Sequence, residues 1–390
     1  MRSDWQRKKL REVCTLDKLQ GTHADLPYIG MEDIESQTGR FLGSNKPQEV
    51  KSSTFRFTSE HILYGRLRPY LNKVYLPNFE GRCSTEIFPI KPGESISREY
   101  LSYWFLMEST VNRINATCTG ARMPRANMDA VLDFDLLLPP QKEQQRIVAI
   151  LDEAFEGIAT ATANAEKNLQ NARELFESTL QSVFAEKGEG WVEKRLGDSV
   201  KKVSTGPFGS LLHKSDYVSE GVPLVNPINI VNDVIVPDPK KMVNADTQKR
   251  LQTYLLNEGD IVIARRGEIG RCAVVTEEQS GWICGTGCFF IKPSSELNPN
   301  FLVRLLRSSS YREMLEAVAT GATMKNISNK ALSELLVTFP SYTEQTKILD
   351  RINELDADIQ RLESIYKQKI VECSELKQSI LQKAFAGELH

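Results

Sequence analysis

The 390-residue chain lacks most of the sequence features that identify enzymes. It has no G-x-x-x-x-G-K-[ST] phosphate loop, no [DNS]-P-P-[FYW] methyltransferase motif and no PD…[DE]-x-K nuclease arrangement. Only four histidines occur, widely separated, which leaves little material for a catalytic triad or a zinc site. We therefore expect a non-catalytic chain without a metal site.

Long apolar runs and a regular cysteine pattern are also missing. No run approaches the roughly 18 residues of a membrane span, and residues 1–9 contain no apolar core of a secretory signal. The seven cysteines are scattered, which is typical of reduced thiols. We interpret Cys284 and Cys288 as buried strand thiols rather than half of a metal site. These features predict a soluble cytoplasmic protein.

The chain instead contains a long internal repeat. Cys83-Ser84-Thr85 returns 201 positions later as Cys284-Gly285-Thr286, and the register holds from there onward. Each copy is long enough to be a domain with its own core. The other repeated pairs include Trp5 and Leu10 with Trp191 and Leu196, Ile90-Lys91-Pro92 with Ile291-Lys292-Pro293, Thr119-Gly120-Ala121 with Thr320-Gly321-Ala322, and Glu143-Gln144 with Glu344-Gln345.

Each copy divides into a mixed part, residues 1–140 and 188–340, and a helical part, residues 141–187 and 341–390. Short β-like runs such as Ile261-Val262-Ile263-Ala264 are separated by Gly, Pro and Asn in the mixed parts. A helical stretch is predicted over 100–115 and over 301–320, each ending at Thr-Gly-Ala, where the glycine can stop a helix. The mixed parts therefore predict α/β (α+β) globules.

The helical parts have the pattern of a coiled coil. Apolar or small residues follow steps of three and four, at 147, 151, 154, 158, 162, 165, 169, 172, 176, 179 and 183, and at 348, 352, 355, 359, 362, 366, 370, 373, 376, 380 and 384. Two helices of matched length favour an antiparallel pair, with an approximate twofold axis relating the halves. The alternative is that each helix packs on its own globule or mediates homodimerisation.

Local charge marks candidate nucleic-acid contacts, although overall charge is balanced, with 49 Lys and Arg against 51 Asp and Glu. Several stretches carry arginine, lysine and aromatic residues but no acid, a composition that suits phosphate contact and groove reading. A solvated helix face is the alternative explanation. The candidate DNA-binding residues are Arg66, Arg68, Tyr70, Lys73, Arg122 and Arg125 in the first copy, and Phe208, Lys214, Arg265, Arg266 and Lys325 in the second.

The combination resembles the specificity (S) subunit of Type I restriction–modification systems. Pro139-Pro140-Gln141-Lys142-Glu143-Gln144 matches the family's entry into its first spacer helix, and Pro340 with Glu344-Gln345 matches the second. The closing Ser379-Ile380-Leu381, Ala384-Phe385 and Gly387-Glu388-Leu389 look like the family's C-terminal motif. Ala185-Glu186 departs from this motif in the first copy, where the second has Ala386-Gly387.

The resemblance implies two target-recognition domains, 1–140 and 188–340, and two spacer helices, 141–187 and 341–390. Such a subunit binds double-stranded DNA with a bipartite asymmetric target, one half-site per domain. It docks two modification subunits, which methylate adenine N6, and two restriction subunits. S-adenosylmethionine, ATP and Mg are expected in those partners, and no cofactor in this chain. The alternatives are a subunit of a methylation-only system, a coiled-coil scaffold that binds no DNA, or an enzyme with an unrecognised catalytic domain.

Overall fold

The chain folds into two compact units. In this computed structural model the described residues are 4–120, 122–208, 211–231, 233–321 and 325–389. One unit comprises Met1–Lys167 with Tyr366–His390, and the other comprises Asn168–Ile365. No helix within the described ranges is both long and apolar enough to cross a membrane.

The first unit contains two four-stranded sheets and one two-stranded sheet. The first four-stranded sheet has the order β2-β9-β6-β7, the second has the order β3-β5-β8-β4, and β1 pairs with β10. Its strands are Gln6–Lys9 (β1), Cys14–Leu16 (β2), Gln20–Gly21 (β3), Tyr28–Ile29 (β4), Thr54–Phe57 (β5), Ile62–Gly65 (β6), Val74–Tyr75 (β7), Gly81–Ser84 (β8), Ile87–Pro92 (β9) and Asp135–Leu138 (β10). Its shorter helices are Leu10–Val13 (α1), Arg98–Leu106 (α2), Glu108–Ala116 (α3) and Met128–Val131 (α4).

The second unit repeats this plan with additional short strands. The sheet β12-β21-β18-β19 corresponds to β2-β9-β6-β7, and β11 pairs with β22 as β1 pairs with β10. Its strands are Val192–Arg195 (β11), Val200–Thr205 (β12), Tyr217–Val218 (β13), Val222–Val225 (β14), Ile230–Val231 (β15), Val234–Ile235 (β16), Met242–Val243 (β17), Ile261–Ala264 (β18), Cys272–Val274 (β19), Ile283–Cys284 (β20), Cys288–Pro293 (β21) and Leu336–Phe339 (β22). The other four-stranded sheet has the order β13-β17-β14-β20, and β15 pairs with β16. The shorter helices are Leu196–Ser199 (α6), Ala245–Arg250 (α7), Pro299–Arg307 (α8), Ser309–Ala317 (α9) and Asn329–Ser333 (α10).

Two long helices complete the fold: Gln141–Ala185 (α5) and Tyr342–Ala386 (α11). In the first unit, the beginning of α5 and the end of α11 share one core, in which Ile147 and Leu151 lie with Leu381, Ala384 and Phe385. Early residues of one helix thus pack with late residues of the other. This arrangement confirms the antiparallel pairing expected from the sequence.

The second unit shows the reciprocal packing. Leu180 and Phe184 of α5 share a core with Ile348, Leu349 and Ile352 of α11. The helices also pack on their globules, since Phe385 contacts Tyr100 in the first unit. Phe184 contacts Phe301 in the second. Helix pairing and helix–globule packing, weighed as alternatives from the sequence, therefore occur together.

The predicted seam is confirmed along α5, where none of its eleven positions is exposed. It is wrong at two positions of α11, because Leu362 and Leu376 are exposed. Glu363 faces inward instead of Leu362, and Arg173 of α5 donates to its carboxylate with an Nε–Oε1 distance of 2.9 Å. A step of four from Ile359 keeps Glu363 on the side of α11 that meets α5, while Arg173 itself stays exposed.

The helical stretches predicted over 100–115 and 301–320 are present, but each is divided into two helices, at Met107 and at Ser308. At the first break the backbone N–H of Glu108 donates to Gln378 Oε1 at 2.8 Å. The helices end at Ala116 and Ala317, before the Thr-Gly-Ala motifs. Gly120 and Gly321 do have positive φ, but they lie in the loops that follow. Ala121 and residues 322–324 of these motifs lie outside the described residues.

Candidate nucleic-acid interface

In the first unit, most of the candidate residues meet where β6 ends. Backbone hydrogen bonds tie the segment after β6 to residues 124–126: Ala126 N donates to Arg66 O at 2.9 Å and Arg68 N donates to Pro124 O at 2.7 Å. Arg66 N also donates to Glu86 O, in the turn between β8 and β9, at 2.9 Å. Three stretches far apart in sequence therefore form one surface.

Glu86 lies at the centre of this surface. Its carboxylate accepts from Arg66 Nε at 3.2 Å and from Arg125 Nε and Nη2 at 2.9 and 2.8 Å. The guanidinium of Arg66 also lies over the ring of Phe88, 4.9 Å from its centroid. The expectation that these arginines have no carboxylate nearby is wrong, because Glu86 is 20 and 39 residues away in sequence and only folding brings it close.

The charges of this cluster depend on one another. Burial raises the pKa of the Glu86 carboxyl, but Arg125 and Arg66 outweigh burial and hold that pKa below its ordinary value. Glu86 in turn raises the pKa of Arg125. Glu86 is therefore an anion at neutral pH, fixed by two cations.

The remaining candidates of the first unit surround this cluster. Arg68 and Arg122 are exposed, and within the described part of the chain neither side chain forms an ion pair. Tyr70 is half exposed in the 3-10 turn Pro69–Leu71. Arg68 adopts a left-handed backbone with φ of 51°, an uncommon conformation for a residue with a side chain. The side chain of Lys73 is engaged within the fold, since its Nζ donates to Met31 O at 2.6 Å.

The second unit builds an equivalent surface at the end of β18. Arg265 N donates to Gly287 O at 3.1 Å, and Ile327 N donates to Arg265 O at 3.0 Å. Arg265 Nε donates to Asn326 Oδ1 at 2.9 Å, and its guanidinium lies 5.4 Å from the ring centroid of Phe289. Arg265 thus corresponds to Arg66, Phe289 to Phe88, and Asn326 to Arg125.

Among the residues that the structure describes, no carboxylate occupies the centre of the second surface. Gly287 stands where the first unit has Glu86, and Arg266 stands beside Arg265. Burial and the neighbouring charge of Arg266 lower the pKa of Arg265. Arg265 and its neighbour Arg266 thus have no ion-pair partner within the described ranges.

Phe208 belongs to the same surface. Gly206 N donates to Cys288 O at 3.0 Å, and Thr286 Oγ1 donates to Pro207 O at 2.7 Å, so residues 206–208 follow the turn between β20 and β21. A Cβ on Gly206 would lie 2.0 Å from Gly285 O, so only glycine permits this approach. Phe208 is 57% exposed beside this turn.

The structure does not bring every candidate of the second unit together. Lys325 is exposed next to Asn326. Lys214 begins the 3-10 turn Lys214–Asp216, where Asp216 pairs with Arg250 of α7. Among the described residues, no hydrogen bond or ion pair joins Lys214 to the Arg265 surface.

Sequence reasoning missed four residues of these surfaces. Glu86 and Asn326 hold the arginines, but Glu86 is itself an acid, and Asn326 is neither basic nor aromatic although it lies in the acid-free stretch 317–333. Met123 and Ile228 are apolar yet 46% and 75% exposed, and Ile228 follows Pro227, whose ring would touch a Cβ on Gly287. Apolar groups of this kind can contact the thymine methyl.

The cysteines show the burial expected of structural thiols. Cys284 and Cys288 are fully buried in strands, which confirms their interpretation as strand thiols. Burial raises the pKa of Cys272 to about 12. Within the described ranges, no three His, Cys, Asp or Glu side chains are grouped so that they could hold a metal ion.

Comparison with known families identifies both copies. The family model of the Type I restriction modification DNA specificity domain matches residues 2–170 and 188–371, most of the chain. The EcoDI specificity subunit of Escherichia coli is 26% identical over 193 residues, which are 48% of this chain and 42% of that protein. The EcoKI specificity subunit of Escherichia coli (strain K12) is 22% identical over 388 residues, covering 93% of this chain and 82% of that protein.

Two solved structures share the fold. A chain from a study of complex assembly and conformational transition in the type I R-M system matches with a TM-score of 0.84 and 22% identity, covering 100% of this chain and 99% of that chain. The HsdS subunit from Thermoanaerobacter tengcongensis matches with a TM-score of 0.65 and 21% identity, covering 100% and 98%. By contrast, the alignments with EcoDI and EcoBI, both from Escherichia coli, span only 42% and 65% of those relatives.

Proposed function

The chain belongs to the Type I restriction modification DNA specificity family, and on this premise we propose that it is the non-catalytic specificity subunit of such a system. Each unit reads one half-site of a bipartite, asymmetric target in double-stranded DNA. The chain supplies recognition, and adenine-N6 methylation and DNA cleavage are carried out by modification and restriction subunits that dock on it.

One observation supports this proposal above the others: the two units present equivalent arginine-bearing surfaces whose surrounding residues differ. Arg66 and Arg265 hold equivalent places, at the ends of β6 and β18 in corresponding sheets. Their neighbours differ, because Glu86 and Arg125 in one unit are replaced by Gly287 and Asn326 in the other. Equivalent frameworks with different hydrogen-bonding groups suit two half-sites of different sequence. They also suit an asymmetric target.

The long helices are the proposed docking surface for the modification subunits. Their outer faces carry Glu, Gln and Lys, and several large apolar side chains are left exposed there, among them Leu362 and Ile365 of α11. These two residues lie three positions apart and so share one helix face. S-adenosylmethionine, ATP and Mg belong to the partner subunits in this proposal, two modification and two restriction subunits per chain.

The test is to co-express the chain with the modification subunit of its own system and to map adenine methylation across the host genome. A split motif with a fixed gap is the expected result. A stable complex that methylates no defined motif would contradict the recognition role and favour a scaffold. Methylation by the chain alone would contradict the non-catalytic assignment.

A further inference from the structure

We propose that Arg66 and Arg265 are the specificity-determining arginines of the two units, and that each reads the paired acceptors O6 and N7 of a guanine in its own half-site. This inference rests on the proposed function and names the residue and base that carry it. It is argued from the way in which each guanidinium is held.

Protein contacts fix the Nε side of the Arg66 guanidinium, whereas its two terminal nitrogens, the outer edge, are open to solvent. Nε donates to Glu86 Oε2 at 3.2 Å, and the guanidinium lies 4.9 Å from the ring centroid of Phe88. The backbone on either side is bonded to Glu86 and Ala126. Its two terminal nitrogens have no hydrogen-bond partner in the described part of the chain, and neither is buried. Two coplanar N–H donors therefore face solvent in a set orientation.

Arg265 is held in the same way, but its Nε donates to a different acceptor. Nε donates to Asn326 Oδ1 at 2.9 Å, and Phe289 lies under the guanidinium. Its terminal nitrogens likewise have no protein partner within the described ranges and are not buried. Two diverged copies thus fix equivalent arginines through Nε and an aromatic ring. What the copies share is therefore the orientation of the outer edge of the guanidinium.

A base edge fits this arrangement better than a phosphate does. A phosphate can be held by the point charge of a lysine as well as by the fork of an arginine, so a phosphate contact does not by itself require a fixed guanidinium. The carboxylate of Glu86, 3.2 Å from Arg66 Nε, repels an anionic phosphate more strongly than the uncharged edge of a base. A planar guanidinium with fixed torsions matches guanine O6 and N7 bidentately, which is a common specific contact in the major groove.

Glu86 and Asn326 are positioning residues in this scheme, since they act through the arginines. Glu86→Gln retains an oxygen that can accept from Arg66 Nε and should preserve guanine discrimination. Glu86→Leu removes the acceptor and should lower discrimination in the first half-site only. A merely structural role for Glu86 would lower stability without changing which base is preferred.

The test measures how the chain, in complex with its modification subunit, binds duplexes that carry the target sequence identified by methylation mapping. Each guanine is replaced in turn by 7-deazaguanine, which lacks the N7 acceptor, and Kd is measured by fluorescence anisotropy. We expect one guanine in each half-site at which affinity falls by about tenfold. Arg66→Gln should remove the dependence in one half-site and leave the other unchanged, and Arg265→Gln should do the converse.

Arg40→Gln is the matched control, because it removes an exposed arginine paired with Glu35. It should leave both dependences intact. A loss of affinity by Arg66→Gln that is equal for all sequences, with a smaller salt slope, would identify a phosphate contact and overturn the inference. A half-site in which no 7-deazaguanine replacement lowers the affinity would also overturn the inference. That measurement needs only the wild-type protein, so it decides the matter even if a variant does not fold. A complex that shows no split motif would instead contradict the proposed function itself.

Discussion

The side-chain oxygen of Gln144 accepts a hydrogen bond from the backbone N–H of Ser97 at 2.8 Å. Gln144 Nε2 donates in turn to Ser95 O and Pro139 O, at 2.8 and 2.9 Å, and the side chain is fully buried. Gln345 makes the same three bonds in the second unit, to Asn298, Glu296 and Pro340. The Glu-Gln motif at the start of each long helix therefore joins the helix to its globule.

Replacing Gln144 with leucine should destabilise the first unit by about 3 kcal/mol, because one buried N–H and two carbonyls lose their partner. The measurement is the free energy of unfolding from urea denaturation. Gln170→Leu is the matched control, since Gln170 is exposed on the same helix and its side chain donates to the exposed Glu174. It should change stability by less than about 0.5 kcal/mol. Equal effects of the two substitutions would refute the structural role of Gln144.

Patterns that repeat along the chain predicted much of the fold, and contacts between distant segments account for what they missed. The seam along α5 follows from residues three and four positions apart, which one helix brings together. The partners of Arg66 do not follow in this way, because Glu86 and Ala126 reach it only when three loops close on one sheet end. The ion pair of Glu363 with Arg173 joins two different helices, so the pattern within one helix does not predict it.

Stability should depend on pH through Glu86. The pKa of this carboxyl is held below its ordinary value of 4.5 in the folded chain, because Arg125 and Arg66 outweigh burial. A carboxyl with a lowered folded pKa stabilises the fold above that ordinary, unfolded value and loses the contribution as pH falls through the folded pKa. The stability difference between wild type and Glu86→Gln should be constant from pH 7 to 5 and shrink below pH 4.5.

Denaturation at a series of pH values measures this difference. Glu60→Gln, which removes an exposed carboxylate paired with Lys91, is the control for general charge effects. A difference between wild type and Glu86→Gln that grows on acidification would show that the cluster destabilises the fold.

The seven thiols should divide into two reactivity classes. Five are buried, and burial raises the pKa of Cys14 and Cys272 to about 12, so these thiols are protonated at pH 8. Only Cys118 and Cys373 are partly exposed. Because the thiolate is the nucleophile, iodoacetamide should modify these two first in the native protein and all seven in denaturant. Mass spectrometry of timed samples measures this, and rapid modification of Cys284 or Cys288 would contradict the strand packing.

Introducing charge on the outer face of α11 should weaken the complex with the modification subunit. Ile365 is 52% exposed, so Ile365→Glu should leave stability nearly unchanged. Burying that carboxylate in an apolar interface is costly, so the Kd should rise by about tenfold or more. Gln360→Glu, which adds the same charge at an exposed site five positions away and so on a different face of the helix, is the control. Unchanged affinity for Ile365→Glu would place the docking surface elsewhere.

Exchanging residues 191–340 for the recognition domain of another specificity subunit should change one half-site and preserve the other. Each unit has its own sheets and core, and each arginine surface is built entirely from its own unit. Two contacts attach this globule to the helices, and the incoming domain must keep both. Its backbone at positions 296 and 298 must bond the side chain of Gln345, and an aromatic residue at position 301 must pack against Phe184. Methylation mapping of the hybrid complex gives the result. Retention of the half-site read by Arg66 is the expected outcome, whereas loss of both half-sites in a hybrid that still assembles would show that the two surfaces do not read DNA independently.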